Sequence, residues 1–245
     1  MRKRERALGA LDPVMARLIA AAGPCTLRPA LERSPFESLA RAIAHQQLNG
    51  LVAERILGRL TAHFAPATFP EPSQLSQFPD ELIRAAGFSF AKMRALRDLA
   101  DKVLAGIVPT TPELHTLGDD AIVERITQVR GIGRWTVEMM LMFQLGRTDI
   151  LPVDDFGVCN GFRLAYGLKG MPMPRALAEF GARWAPHRTL AAWYLWRAVD
   201  LARAAKLPRP GRAPRVALKK TRQDSARKPK ASKTKPKRPS KPKRP

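Results

Sequence analysis

The sequence predicts an all-α protein, and three observations carry that expectation. Apolar residues recur at three- and four-residue spacing in segment after segment, as at Leu39 and Ile43. Helix-start signals precede these segments and glycines close them, as at Ser34-Pro35-Phe36-Glu37, Asn49-Gly50 and Gly87. Strand alternation bounded by hairpin turns is missing, so no sheet is expected.

The elements follow in order. Ser34-Pro35-Phe36-Glu37 reads as a capping box with Pro35 at the first helical position. It opens a helix that carries Leu39, Ile43 and Gln46/Gln47 and breaks near Asn49-Gly50. A second helix runs through Leu51, Ile56 and Leu60, and the Pro-rich stretch 62–79 is expected to be a connector. Asp80 caps a short helix ending at Gly87, and 91–104 forms another. A helix beginning at Asp119/Asp120 stops at Gly131. Residues 135–145 are apolar on nearly every side, which predicts a central buried helix in which Met139, Met140 and Met142 fill core. Helices over 155–166, 174–184 and 188–205 complete the set.

Charge divides the chain. Its 245 residues hold 43 Lys and Arg against 21 Asp and Glu, a net +22. Residues 206–245 alone hold 17 Lys and Arg against the single acid Asp224, a net +16, which leaves +6 for residues 1–205. A globular domain over 1–206 is therefore expected, followed by a Lys/Arg/Pro-rich tail over 207–245. Like charges repel in that tail and nothing in it builds a core, so it is expected to be disordered. Such a tract points to a nucleic-acid partner, the plain alternative being a solubilising extension.

Several classes are excluded. No apolar run reaches the ~18 residues of a membrane span, and the basic N-terminus lacks the apolar stretch of a secretory signal. Cys25 and Cys159 are too few for a disulfide framework or a four-cysteine metal site. The four histidines show no ligand spacing, so no transition metal is expected. A cytoplasmic, nucleoid-associated monomer with no membrane partner is the expectation.

The most informative segment is Ile126-Thr127-Gln128-Val129-Arg130-Gly131-Ile132-Gly133-Arg134-Trp135-Thr136-Val137, the hairpin over 126–137. One helix ends, two glycines bracket one apolar residue, and a second helix starts at once. Glycine permits a positive φ and close approach there, and the amides opening the second helix would face outwards as a sequence-independent phosphate site. A Gly-x-Gly link alone more readily fits a plain helix–helix turn.

The hairpin leads through the apolar helix to Leu151-Pro152-Val153-Asp154-Asp155-Phe156. That order resembles the helix-hairpin-helix superfamily of base-excision DNA glycosylases, and within it the 3-methyladenine DNA glycosylase II, or alkylpurine, branch. Ala44-His45-Gln46-Gln47-Leu48, Gly87-Phe88-Ser89-Phe90-Ala91-Lys92 and Trp193-Tyr194-Leu195-Trp196 fit the same branch. The resemblance covers about residues 30–205 and implies two helical subdomains with a cleft between them. Too little chain precedes Ser34 for the extra N-terminal α/β domain of some bacterial members, so the compact all-helical form is the one resembled.

The resemblance assigns roles. Asp155 is the implied catalytic residue, since the family's aspartate is the second of such a pair; by position alone Asp154 or Asp155 could equally be a helix N-cap. A fixed carboxylate stabilises the positive charge that grows on the sugar as an N-glycosidic bond breaks, and can orient or activate the attacking water. Trp135 and Trp196 are implied as pocket walls, and Trp193 is a candidate because it lies three residues before Trp196. Electron-rich rings attract the cationic ring of 3-methyladenine or 7-methylguanine. Leu48 resembles the residue that fills the gap left by an extruded base, and Gln47 a neighbour contacting DNA. For these two a core leucine and a helix C-terminus are the plain alternatives.

Gly131, Ile132, Gly133, Arg134 and Thr136 are the implied hairpin contacts to DNA, with Arg134 equally readable as a solvated charge. Lys92 and Arg94 are further candidates for phosphate. No cofactor is expected beyond a monovalent cation that family hairpins often hold on backbone carbonyls.

The expected function is a monofunctional glycosylase that excises alkylated purines from damaged double-stranded DNA and leaves an abasic site. A non-catalytic DNA clamp and a bifunctional glycosylase/lyase are the alternatives. Bifunctional members place a lysine where this chain has Trp135, which argues against Schiff-base chemistry.

Overall fold

A computed structural model describes residues 2–30, 32–210 and 214–219. Among these residues there are thirteen α-helices, two 3-10 turns and no strand. The helices are α1 (Lys3–Leu11), α2 (Pro13–Ala22), α3 (Pro35–His45), α4 (Gly50–Thr61), α5 (Pro72–Gln77), α6 (Asp80–Ala86) and α7 (Phe90–Leu104). They continue with α8 (Thr111–Thr116), α9 (Asp119–Ile126), α10 (Arg134–Phe143), α11 (Phe156–Ala165), α12 (Pro174–Gly181) and α13 (Arg188–Arg203).

Two helical groups result. One is assembled from both ends of the chain: α1 and α2 pack on α13, which in turn lies along α11. Two buried acids join them. Asp12 caps α2 by accepting from Val14 N, and its other oxygen accepts from Tyr166 Oη at 2.6 Å and Trp184 Nε1 at 3.0 Å. Glu5 Oε1 accepts from Cys25 N at 2.8 Å. An acid placed in a core is tolerated when its oxygens are satisfied in this way. The second group holds α3 to α10, with α3 against α7 and α10, and α5 against α7.

The sequence missed four short or terminal helices. α1 and α2 lie before the first segment read as helical. α5 sits inside the expected connector, where the prolines hide a capping box in which Glu71 N donates to Gln74 Oε1 at 2.9 Å. α8 begins with a second box, Thr110 N donating to Glu113 Oε2 at 2.7 Å. The box expected at Ser34 is only half formed. Ser34 Oγ accepts from Glu37 N, but the Glu37 carboxylate turns to Arg41 at 2.8 Å. The helix expected to run to Gly131 ends at Ile126, and α12 gives way to a 3-10 turn at Ala182–Trp184.

The boundary expected at residue 206 also moves. Leu207 and Val216 pack against the core. Met173 N donates to Ala217 O at 2.7 Å and Lys219 N to Met171 O at 2.8 Å, around an isolated antiparallel bridge between Pro172 and Leu218. Alternate apolar residues (Val216, Leu218) give this part of the basic segment something to pack, so the described body extends to Lys219. Residues 211–213 and 220–245, where most of the disorder expectation falls, lie outside the described residues.

Candidate active site

The hairpin between α9 and α10 turns as its glycines predict. Gly131 takes φ +76°, and Gly133 is the N-cap of α10. Ile132 is buried and its amide donates to Val129 O at 3.0 Å, so the apolar residue between the glycines plugs the turn into the core. Arg130 N donates to Asp98 Oδ2 at 2.6 Å, which ties the turn to α7. The amides of Arg134 and Trp135 open α10, where a helix supplies no carbonyl partner. Thr136, expected to contact DNA, is instead buried and its amide donates to Gly133 O at 3.0 Å. Arg134 stands over half exposed, 3.8 Å from both Asp120 and Glu138.

The knuckle after α3 sits beside this turn. Gln46 Nε2 donates to Gly131 O at 2.8 Å. Gln47 is exposed with φ +57°, a left-handed conformation uncommon for a residue with a side chain. It is followed by Leu48, 39% exposed, and then by Leu51, 73% exposed. Leu48 is therefore an outward apolar residue and not a core leucine. Lys92, expected to reach phosphate, caps α3 instead: its Nζ donates to Ala44 O and Gln46 O, both at 2.7 Å. Burial holds its pKa below the usual lysine range. Arg94 is exposed.

α10 carries the hairpin's direction into the cleft and α11 meets it there. Asp155 is the N-cap of α11, its Oδ1 accepting from Val158 N at 2.7 Å. The same oxygen accepts from Trp196 Nε1 at 2.8 Å, and Oδ2 accepts from Trp135 Nε1 at 2.8 Å. The capping and site readings of the Asp pair thus fall on one residue, while Asp154 is exposed. Trp196 stacks on Phe143 with ring centroids 5.9 Å apart. Trp193 does not join them. Its ring is buried in the core, edge-to-face with Tyr194 at 4.9 Å, with the Arg197 guanidinium 5.4 Å from its centroid. A three-residue step rotates a helix position by about 60°. That is enough to turn one indole inward and the other to the cleft.

A cavity of about 720 Å³ opens between α3 and α10, with Trp135, Met139 and Phe143 on one side and His45 on the other. Trp135 belongs to both features: its ring lines the cavity and its N–H holds Asp155. The cavity and the carboxylate are therefore neighbours.

Glu138, absent from the sequence-based candidates, lies one turn along from Trp135 and is only 8% exposed. Desolvation pushes its carboxyl up to about 7, and the charges of Asp154 and Asp155 add to this against the pull of Arg134. It is the lone acid among the apolar residues 135–145, a signal the sequence did offer. Among the described residues no cluster of His, Cys, Asp and Glu is arranged to hold a metal. None of the described helices is long and apolar enough to cross a membrane.

This hairpin, set on a two-lobed helical body with a carboxylate at the cleft, defines the class as a helix-hairpin-helix protein. The family model of HhH-GPD superfamily base excision DNA repair proteins matches residues 40–187, and the chain belongs to that superfamily. It is 38% identical over 209 residues to DNA-3-methyladenine glycosylase 1 of Schizosaccharomyces pombe, covering 85% of this chain and 92% of that protein. The solved structure of the S. pombe 3-methyladenine DNA glycosylase Mag1 in complex with abasic DNA is similar with a TM-score of 0.73, covering 82% of this chain and 98% of that one. A DNA-3-methyladenine glycosidase of Bacillus halodurans is similar with a TM-score of 0.74 at 33% identity, covering 82% and 92% of the two chains.

Proposed function

We propose that this chain is a monofunctional DNA glycosylase that extrudes alkylated purines of the 3-methyladenine and 7-methylguanine type from duplex DNA and hydrolyses the N-glycosidic bond, leaving an abasic site. The observation that carries the reading is Asp155, whose two oxygens accept three N–H bonds, two of them from tryptophans on different helices. Such a carboxylate is fixed before substrate arrives, so no reorganisation is needed when charge develops.

In this reaction the C1′–N bond breaks and its electron pair leaves with the base. The base is already cationic, so it departs neutral without a strong general acid. The deoxyribose becomes oxocarbenium-like facing Asp155, and water adds at C1′ and passes its proton to the Asp155 carboxylate or to solvent. The Trp135 ring offers a π face to the cationic base. Leu48, preceded by Gln47, is the group that would fill the vacated stack. The backbone amides of Gly131 and Gly133, on the turn that the buried Ile132 plugs into the core, would hold a phosphate with Arg134. A monovalent cation on the hairpin belongs to the same proposal: the carbonyls of Val129 and Gly131 each accept one N–H and keep a second lone pair. The reading implies a cytoplasmic, nucleoid-associated monomer acting on damaged duplex DNA.

Release of free 3-methyladenine from methylated DNA tests the reading. Asp155→Asn, whose amide oxygen can still cap α11, is expected to fold while its single-turnover rate falls by about 10²–10³. Equal release by the variant, or no release by the wild type, would sink the proposal. A covalent adduct trapped by borohydride would point to the lyase instead.

A further inference from the structure

The cavity beside Asp155 has two unlike walls. Opposite the apolar side chains of α10 stands a polar cluster from α3 and α4. His45 Nε2 is 2.9 Å from Glu54 Oε1, and Arg41 Nη1 is 3.3 Å from Glu54 Oε2. Arg41 also donates from Nε to Glu37 Oε1 at 2.8 Å, so its fork is committed to two carboxylates. Arg41, His45 and Glu54 all line the cavity.

The cluster sets the hydrogen-bonding character of that wall. The His45 hydrogen bond, with the charge of Arg41, holds the Glu54 carboxyl below the usual glutamate range. A carboxylate only accepts, so the shared proton sits on Nε2 of His45. In the singly protonated ring Nδ1 is then a lone-pair acceptor. In that form the ring offers an acceptor to whatever enters. Purines differ in this respect at the 6-position, where an adenine-type base carries an amino donor and a guanine-type base an oxo acceptor.

Resting on the glycosylase reading above, we propose that His45, held neutral with Nδ1 toward the cavity and oriented by Glu54, is a specificity-determining residue. Its Nδ1 accepts a hydrogen bond from the 6-amino group of the extruded base and favours alkylated adenines over alkylated guanines. An oxo group at that position sets lone pair against lone pair, and the lost hydrogen bond is what produces discrimination.

The test uses full-length protein in excess over one methylated duplex DNA, with released 3-methyladenine and 7-methylguanine separated and timed together. The ratio of the two rates is expected to fall about tenfold in His45→Ala, the effect of removing one hydrogen bond at a discriminating position. His45→Gln, whose side-chain carbonyl can accept, is expected to retain more of that ratio than His45→Ala. Glu54→Gln, which frees the tautomer, is expected to shift the ratio in the same direction. A thermal melt confirms that each variant is folded. A ratio unmoved in His45→Ala, including an equal fall in both rates, overturns the assignment of His45. Release of neither base by the wild type overturns the glycosylase reading itself, so the two failures are distinguishable.

Discussion

A Cβ added to Gly157 would stand 2.7 Å from Cδ1 and 2.9 Å from Nε1 of Trp196, and 3.1 Å from Asp155 Oδ1. The absence of a side chain at 157 is what allows the Trp196 indole to lie across the start of α11 and donate to Asp155. Gly157→Ala is therefore expected to displace Trp196 and release one of the two indole donors from the carboxylate. A hydrogen bond to a charged group contributes about 1.5–3 kcal/mol, so single-turnover excision should fall by about 10–100-fold. Rapid-quench kinetics on methylated DNA would check this, and an undiminished rate would show that Trp196 does not tune the carboxylate.

Glu138 predicts a pH dependence of stability. Its carboxyl is pushed up to about 7 in the folded protein against an ordinary 4.5, mainly by desolvation. Below 4.5 both folded and unfolded forms carry the proton and burial costs little. As pH rises from 4.5 through 7 the unfolded chain ionises first, and the folded state loses stability until the buried group is charged as well. Glu138→Gln removes that loss, so the variant should gain on the wild type over this interval and hold a constant advantage of about 3 kcal/mol above it. Urea denaturation at pH 5 and pH 8.5 measures the difference, and parallel pH profiles for the two proteins would contradict it.

Leu48 and Leu51 form an exposed apolar knob after the Gln47 turn. Their exposure means that substitution by alanine leaves no cavity and should change stability by less than about 0.5 kcal/mol. A plug matters only when a stack must be held open. The double variant Leu48→Ala/Leu51→Ala is expected to lower excision from duplex DNA about tenfold more than from single-stranded DNA. Comparable losses on both substrates would assign the knob another role.

The two parts of the basic C-terminal segment should behave differently. Truncation after Lys219 removes 12 Lys and Arg and one acid while keeping Val216 and the bridge to Pro172. The salt dependence of DNA binding should flatten by about 0.9 in logarithmic slope for each phosphate the shortened chain no longer neutralises, while excision at saturating enzyme persists. Truncation after Lys206 also strips Leu207 and Val216 from the core and should lower the Tm by a few degrees. Fluorescence anisotropy across a salt series, paired with thermal melts, separates the two effects.

Much of the site was legible because it rests on short-range patterns. The Gly131-Ile132-Gly133 spacing fixes a tight helix link, since glycine alone adopts the positive φ at 131 without steric cost. Asp155 before an apolar helix reads as a capping residue whatever else it does. The helices that escaped notice were short ones, α5 and α8, whose prolines at the first turn look like breaks until the capping side chains are seen. Thr136 and Lys92 look available for DNA in sequence; burial and the α3 carbonyls claim them in the fold.

By itself the sequence determined the helical class, the hairpin and the partition of charge, and offered Asp154-Asp155 as a helix start, because each depends on residues close together in the chain. Only the tertiary structure decided that Asp155 caps α11 and also meets Trp135 and Trp196, 20 residues before it and 41 after. It decided likewise that Trp193 turns away and that the chain's two ends build one lobe. It also decided that His45 and Glu54 face Trp135 across a cavity. The physical reason is that local periodicity says which side of a helix is apolar, while the partner that side meets depends on how distant segments pack.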